Sequence, residues 1–236
     1  HSPNAGAVLV LSLGCENNQV DLMKKVIGEY DSDRVKFLVC QEVEDEIEAG
    51  VAIIKTLCSY ADQFYRQPCD ASLLTIGLKC GGSDGFSGIT ANPLVGEISN
   101  RLIAAGGTSI LTEVPEMFGA ETLLMNRARN KNVFDKTVDL INNFKEYFMS
   151  YGEKINENPS PGNKAGGITT LEDKSLGCVQ KGGTAIVEDV LKYGDRVTKK
   201  GLNLLQAPGN DLVASNALAA AGAHMVLFTT GRGTPF

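Results

Sequence analysis

Residues 77–93 read GLKCGGSDGFSGITANP, and the interpretation of the rest of the chain depends on this stretch. A short apolar run at 73–76 leads directly into it, and Asn92-Pro93 opens the helical pattern that follows. An apolar run, a polar loop and a helical pattern in that order predict a strand-to-helix crossover loop. In α/β proteins such loops commonly carry the binding and catalytic groups.

The composition of this loop is that of a polar site. Its glycines let the backbone approach a ligand closely or adopt a positive φ. Ammonium, thiol, hydroxyl, carboxylate and amide groups lie between them, on Lys79, Cys80, Ser83, Asp84, Ser87 and Asn92. The alternative is an ordinary glycine-rich turn with a buried structural cysteine. A phosphate-binding P-loop is excluded, because no Gly-Lys-Ser/Thr sequence ends the stretch.

Length and charge narrow the class of protein. A chain of 236 residues can form one large domain or two small ones. The formal net charge of −6 disfavours nucleic acid and anionic membranes as partners, since either would require a basic face. The sequence shows neither a secretory leader nor an apolar run long enough to cross a bilayer. We therefore expect a cytoplasmic protein whose six cysteines are thiols or metal ligands and not a disulfide framework.

The strand, polar loop, helix pattern recurs about five times along the chain, and this recurrence is typical of a parallel α/β sheet. The predicted strands are 7–13, 35–39, 73–76, 109–112, 202–206 and 225–228, and the main predicted helices are 43–64, 94–105, 133–151 and 212–221. We predict an α/β fold with parallel sheets, helices on both faces and Rossmann-like three-layer units. A joint near Pro68 divides the chain into 1–68, the remaining part of a first α/β unit, and 69–236, a second α/β domain with the glycine-rich loops.

Three cysteines, Cys15, Cys80 and Cys178, are predicted to lie in glycine-rich or polar loops and not on apolar helix faces. Their wide spacing excludes a local zinc knuckle, which requires Cys-x-x-Cys pairs. Three thiolates brought together from three loops could hold an iron–sulfur cluster or a single soft metal ion. The alternative is three small buried residues that only pack.

Four carboxylates, Glu16, Asp84, Glu113 and Glu116, follow predicted strands, so the fold would gather them at one edge of a sheet. Metal ligands and general bases come from such groups, although each could equally be a helix cap or a surface residue. A Ser-His-Asp hydrolase is disfavoured, because there is no Gly-x-Ser-x-Gly elbow and His224 precedes a buried strand.

Several long segments resemble the altronate dehydratase and galactarate dehydratase family, and within it the altronate branch. They are LGCENNQ at 13–19, the loop at 77–93, TEVPEMFGAE at 112–121, NPSPGNKAGGITTLEDKSLGC at 158–178, APGND at 207–211 and FTTGRGTP at 228–235. The resemblance covers essentially the whole chain. Family members also carry an amino-terminal region and a carboxyl-terminal tail, so we expect this chain to be a fragment of a longer protein.

The resemblance implies a hydro-lyase that removes water from a sugar acid and requires Fe²⁺ or Mn²⁺. The expected reaction converts D-altronate to 2-dehydro-3-deoxy-D-gluconate in hexuronate catabolism. The alternatives are another sugar acid such as galactarate as substrate, or a non-catalytic α/β module of a larger protein. The small-molecule substrate is the partner expected, and a homo-oligomer is left open.

We assign the site residues by hypothesis. The metal would be held or bordered by Cys15, Cys80 and Cys178. Catalytic groups would come from Glu16, Lys79, Asp84, Glu113 and Glu116. Substrate contacts would come from Gly81, Gly82, Ser83, Asn92, Lys174, Asn210, Thr230 and Arg232, with Lys174 and Arg232 meeting the substrate carboxylate.

Overall fold

A computed structural model of the chain describes residues 4–236, so His1 lies outside the described residues. The described chain forms two compact units, one reaching to Pro68 and the other comprising Cys69–Phe236. The strands are β1 (Val8–Ser12), β2 (Val35–Val39), β3 (Thr75–Cys80), β4 (Thr108–Leu111), β5 (Val187–Leu191), β6 (Gly201–Leu205) and β7 (Met225–Thr229). The helices are α1 (Val20–Ile27), α2 (Glu46–Ala61), α3 (Gly85–Ile89), α4 (Ala91–Ala104), α5 (Glu121–Met125), α6 (Lys131–Ser150), α7 (Pro161–Ala165), α8 (Leu171–Val179) and α9 (Asp211–Ala221).

The first unit is a two-stranded parallel sheet with two helices. β1 pairs with β2 in a register that places Val8 opposite Val35. α2 begins where Asp45 accepts hydrogen bonds from the backbone of Ile47 and Glu48, as a good N-cap does. α1 begins at Val20, after Gln19, whose side chain makes no capping hydrogen bond.

The second unit contains a five-stranded parallel sheet in the order β5-β6-β4-β3-β7. All residues of β3, β4 and β6 are buried, which is why their sequences are apolar runs without alternation. The predicted α/β class with parallel sheets is confirmed.

Helices cover both faces of this sheet. Ile110 and Leu111 are neighbours on β4 and therefore point to opposite faces. Leu111 belongs to a core cluster shared with α4 and α6, whereas Ile110 belongs to a second cluster with α9. On that second face, the side chain of Leu218 packs directly against Gly77 of β3.

Four local features differ from the sequence prediction. β5 was not predicted, because its VEDVL sequence alternates buried and half-buried positions and includes two acids. β3 continues through Cys80, so this cysteine ends a strand and does not lie in a loop. Cys178 likewise lies in the last turn of α8. The predicted loop also contains α3, which starts with a reciprocal capping box between Asp84 and Ser87.

Among residues 4–236, no helix combines the length and the apolar character needed to cross a membrane.

Candidate active site

A cavity of about 660 Å³ in the second unit lies at the carboxyl ends of the parallel strands. The loops after β3, β4, β6 and β7 each contribute to its lining. Those lining residues are Cys80, Gly81, Gly82, Ser83, Pro115, Glu116, Pro208, Gly209, Asn210, Asp211 and Arg232. A second set, from the end of α6 to α7, closes the other side, and Lys174 of α8 completes the lining. Ligands of open α/β sheets bind at this edge.

Two of the predicted metal-binding cysteines meet in this unit. The Sγ atoms of Cys80 and Cys178 are 3.5 Å apart, although the residues are 98 positions apart in the chain. The thiol of Cys178 also lies 2.8 Å from Glu116 Oε2. The ligand atoms of Cys80, Glu116 and Cys178 all lie within 4.8 Å of one another, a spacing that one cation can bridge.

The pKa values of the two thiols shift in opposite directions. The hydrogen bond with Cys178 holds the pKa of Cys80 well below its ordinary value, and Lys181 and Lys174 lower that pKa further against the effect of burial. The same hydrogen bond, together with burial and the charge of Cys80, raises the pKa of Cys178 well above its ordinary value. The thiol of Cys178 thus lies between two acceptors, Cys80 Sγ at 3.5 Å and Glu116 Oε2 at 2.8 Å.

Glu116 is the carboxylate of the predicted catalytic set that reaches both the cavity and the thiols. Its Oε2 accepts a hydrogen bond from Lys174 Nζ at 2.7 Å. The Lys174 side chain is only 4% exposed. Burial alone would lower the pKa of Lys174, but the charges of Glu116 and Cys178 raise it. The Lys174–Glu116 pair is therefore a buried ion pair at the cavity wall.

Glu113 lies beneath the cavity and not in its lining. Its side chain is 1% exposed and bridges two ammonium groups, with Lys79 Nζ 2.5 Å from Oε1 and Lys181 Nζ 2.6 Å from Oε2. Oε2 also accepts a hydrogen bond from the backbone N–H of Cys80 at 3.0 Å. Glu113 has a φ of 69°, a left-handed conformation that a non-glycine residue adopts only under constraint. The carboxylate therefore ties β3, β4 and the residues after α8 together under the thiols.

In this buried network, burial and the oppositely charged neighbours act in opposite directions on the pKa of Glu113 and on that of Lys79. Burial, and then the charge of Cys80, raises the pKa of Glu113 to about 7, while Lys181 and Lys79 act in the opposite direction. Lys79 also donates to Asp211 Oδ1 at 2.9 Å and to two backbone carbonyls. Glu113, together with Asp211, raises the pKa of Lys79 against the effect of burial. Lys79 thus has a complete set of acceptors below the cavity and is not part of its lining.

Lys181 is a residue that sequence analysis did not assign to the site. Its side chain is 1% exposed, and it neighbours Cys80 as well as Glu113. The available signal was its position three residues after Cys178, within one helical turn of a residue already assigned to the site.

Many of the predicted substrate contacts do line the cavity. They are Gly81, Gly82, Ser83, Lys174, Asn210 and Arg232. Ser83 is 4% exposed, and its Oγ has no hydrogen-bond partner among the described residues. A buried hydroxyl without a partner is unfavourable unless a ligand or water satisfies it, so Ser83 marks a place where a ligand hydroxyl fits. The guanidinium of Arg232 lies against Gly162, where an added Cβ would be 2.7 Å from Nη2.

Asp84, Asn92 and Thr230 have other tasks in the structure. Asp84 caps α3, and Asn92 joins the carbonyl of Gly177 to the hydroxyl of Thr229. Asp84 and Asn92 line a smaller cavity of about 230 Å³ on the α8 side, which shares Ser83 and Lys174 with the larger one. Thr230 accepts a hydrogen bond from the backbone of Gly233. Their roles in catalysis or substrate binding stay predictions.

Cys15 and Glu16 belong to the first unit. Cys15 is exposed, and its Sγ lies 3.9 Å from Gln41 Nε2. Hydrogen bonds from Ser12 and from the backbone, including that of Gly14, lower the pKa of Glu16 to about 2. The carboxylate of Glu16 thus accepts hydrogen bonds from the backbone of its own loop. The assignment of Cys15 and Glu16 to the site stays a prediction.

Fold and site together define a class: an α/β protein with a thiol- and carboxylate-containing pocket, flanked by ammonium and guanidinium groups, that suits a small hydroxylated anion. The comparisons with known proteins agree. The family model described as D-galactarate/altronate dehydratase, C-terminal, matches residues 71–236, and the one described as D-galactarate dehydratase/altronate hydrolase, second domain, matches residues 1–62. The chain belongs to the D-galactarate/altronate dehydratase family.

Three relatives give the scale of the similarity. The altronate dehydratase of Bacillus subtilis is 64% identical over 234 residues, and that of Escherichia coli is 60% identical over 234 residues, in each case 99% of this chain and 47% of the relative. The galactarate dehydratase (L-threo-forming) of Escherichia coli is 35% identical over 244 residues, which cover 100% of this chain and 47% of the relative. The chain thus spans about half the length of the curated relatives it matches.

Proposed function

We propose that the protein containing this chain is a hydro-lyase that dehydrates D-altronate to 2-dehydro-3-deoxy-D-gluconate, with the described cavity as the substrate site. The observation that carries the proposal is the convergence of Cys80, Glu116 and Lys174 at the wall of one cavity, with the thiol of Cys178 in contact with both Cys80 and Glu116. Identity of 64% and 60% to two altronate dehydratases, against 35% to a galactarate dehydratase, favours altronate over galactarate. The unpaired thiols also suit the reducing cytoplasm.

The donor set fits a single Fe²⁺ ion better than Mn²⁺ or a cluster. Two sulfur atoms 3.5 Å apart are soft ligands, whereas Mn²⁺ prefers oxygen, and [2Fe–2S] and [4Fe–4S] clusters are generally held by four cysteines. We assign Cys80 and Cys178 to hold the ion, with Cys15 as a further predicted thiol. The ion would supply Lewis acidity, which makes the proton next to the substrate carboxylate more acidic and hydroxide a better leaving group.

The residues around the thiols divide the remaining work. Arg232, which has no ion-pair partner among residues 4–236, and Lys174 bind the substrate carboxylate. The hydroxyl of Ser83 orients a substrate hydroxyl at the cavity floor. Glu116 faces the cavity and takes the proton from the carbon next to the carboxylate, while Lys174 positions it at 2.7 Å. Glu113 lies below the lining, so its part is to position Cys80.

The test uses the full-length protein, iron analysis and an assay for the 2-dehydro-3-deoxy acid. We expect Cys80→Ser to lose both bound iron and at least ~100-fold in turnover, because losing a ligand should cost at least as much as losing a group that orients one. Glu116→Gln should keep iron but lose turnover to a similar extent. The exposed Cys69→Ser is the matched control and should behave as the wild type.

Each assignment can fail separately. If Cys80→Ser keeps iron and turnover, the metal assignment is wrong. If Glu116→Gln loses iron as Cys80→Ser does, Glu116 is a ligand and not the base. If the wild type turns over galactarate faster than altronate, the substrate is wrong, and if it binds neither, the chain is a non-catalytic module of its parent protein.

A further inference from the structure

The segment from the end of α6 to α7 crosses the cavity as a strap, defined as residues 151–160. At one end the ring of Phe148 packs edge-on against Phe118 with centroids 6.4 Å apart. At the other end Asn163 donates to the carbonyl of Ser83 at 2.8 Å, and Gly162 lies against Arg232. Ile155 packs on the main core between these anchors. The strap is therefore held at both ends and in the middle.

Two carboxylates of the strap, Glu153 and Glu157, line the same cavity as Arg232. The other acids of the lining are neutralised, since Glu116 pairs with Lys174 and Asp211 with Lys79. Within residues 4–236, no ion pair or hydrogen bond engages the carboxylates of Glu153 and Glu157.

The charges of the cavity are thus arranged asymmetrically. Near the sheet, Arg232 offers an unpaired cation that suits one substrate carboxylate. The strap carries the two unpaired acids Glu153 and Glu157 and one cation, Lys154, so its net charge is negative. Carboxylates accept hydrogen bonds from hydroxyl groups but repel a second carboxylate, so this wall suits the hydroxyl end of a sugar acid.

We propose that Glu153 and Glu157 determine specificity by admitting aldonates, which carry one carboxylate, and rejecting aldarates, which carry two. The inference rests on the proposed function and adds the reason why one sugar-acid class is preferred. Such selectivity requires only that the charges repel the aldarate. It requires no additional contact with the aldonate.

The experiment compares the full-length wild type with the double variant Glu153→Gln/Glu157→Gln. The measured quantities are kcat/KM for D-altronate and the Ki of galactarate as a competitor of altronate turnover. We expect the Ki of galactarate to fall by ~10-fold or more in the double variant, because the like charges that repel its second carboxylate are gone. In the wild type, raising the salt concentration should lower the ratio of the galactarate Ki to the altronate KM, since screening weakens the repulsion between the exposed acids and the second carboxylate, whereas its effect on the shared carboxylate is common to both ligands.

Glu146→Gln is the matched control, because Glu146 is an exposed acid on α6 outside the cavity lining. It should leave the galactarate Ki unchanged. An unchanged Ki in the double variant, or the same fall in Glu146→Gln, would overturn the proposed selectivity while altronate turnover by the wild type still supports the proposed function. A wild type that turns over neither acid overturns both.

Discussion

At the scale of single residues, the site is unusual for the number of charges buried beneath it. Lys79, Glu113 and Lys181 have side chains that are at most 1% exposed. Such groups persist only when each has partners, since an unpaired buried charge is strongly unfavourable. Here the partners come from three separate parts of the chain, so the cluster fixes the geometry under Cys80.

This cluster yields a stability prediction for Lys181. In Lys181→Met, the Oε2 atom of Glu113 loses its ammonium partner at 2.6 Å, and we expect a loss of about 3 kcal/mol, the usual cost of breaking a buried pair. Urea unfolding at pH 8 measures it. Lys164→Met, at an exposed lysine of α7, is the control and should change the free energy of unfolding by less than about 0.5 kcal/mol. Equal effects of the two substitutions would show that Lys181 is not part of a tight network.

Sequence analysis could indicate which residue types belong to the site, but it could not indicate which of them contact one another. Cys80 and Cys178 were singled out as thiols in glycine-rich or polar loops, Glu116 as a carboxylate after a predicted strand, and Lys174 through the family resemblance, and their roles stay predictions. Lys181 was missed, because its position three residues after Cys178 indicates the site only if the helical path continues past Cys178. Pairing of Glu113 with two lysines depends on tertiary contacts that no local pattern encodes.

At the scale of secondary structure elements, replacing either of two helical glycines by alanine should change stability, and in opposite directions. A Cβ added at Gly96 of α4 would overlap the backbone oxygen of Gln180, which cannot move aside. A Cβ added at Gly50 of α2 would meet only Leu38 Cδ2 at 3.7 Å, an ordinary contact. Alanine favours a helix over glycine by about 1 kcal/mol. We therefore expect Gly50→Ala to stabilise its unit by up to that amount and Gly96→Ala to destabilise its unit by about 1–3 kcal/mol, as overpacking does.

Chemical denaturation followed by probes in each unit measures both substitutions. Stabilisation by Gly96→Ala would mean that α4 can shift away from Gln180, and the close packing beside Lys181 would then be less rigid than the structure indicates.

The junction of β5 and α6 gives a pH dependence. Asp189 of β5 accepts from Lys136 Nζ at 2.8 Å and lies 3.3 Å from Lys199 Nζ. Burial tends to raise the pKa of Asp189, but the hydrogen bonds from Lys136 and the backbone of Val190 lower it. A lowered folded-state pKa adds stability above the unfolded value of 3.8, and this stability is lost as the pH falls through the folded-state pKa.

Asp189→Asn should therefore destabilise the chain at pH 7 by about 1 kcal/mol, a modest value because both lysines are half exposed. The difference from the wild type should be smaller at pH 3 than at pH 7, because this stability is lost progressively as the pH falls below 3.8. The measurement is the free energy of unfolding of both proteins across that range. A difference that is the same at both pH values would contradict an electrostatic role for Asp189.

Elements were predictable where the pattern was continuous and not where it was mixed. β3, β4 and β6 are buried on both faces and were evident as apolar runs. β5 carries Glu188 and Asp189, whose charges are satisfied by Arg129 and Lys136, so its strand character depends on partners from α6 and the turn before it. α3 has only five residues and three of them are Gly, Ser and Gly, so its capping box alone specifies it.

At the scale of the whole molecule, the fold class followed from repetition and the site from topology. Five parallel strands carry their connecting loops to one edge, which is how Cys80 and Cys178 meet across 98 positions. The strand order was beyond reach from sequence. β6 lies between β4 and β5 in the sheet and pairs with both strands. Because β5 was not predicted, the pairing of β5 with β6 could not be predicted either.

The two units differ in how much they bury, and this predicts unequal stability. In the described part of the first unit, the buried apolar side chains are Val20, Leu38 and Leu57, and its sheet has two strands. Two-stranded sheets are marginal without further packing, whereas β3, β4 and β6 are buried throughout. In native-state hydrogen exchange of this chain, amides of β1 and β2 should exchange at least ~100-fold faster than those of β3, β4 and β6, because they open locally without global unfolding. Urea unfolding should accordingly show an early transition for the first unit, and equal protection in both sheets would mean that the chain unfolds as one cooperative body.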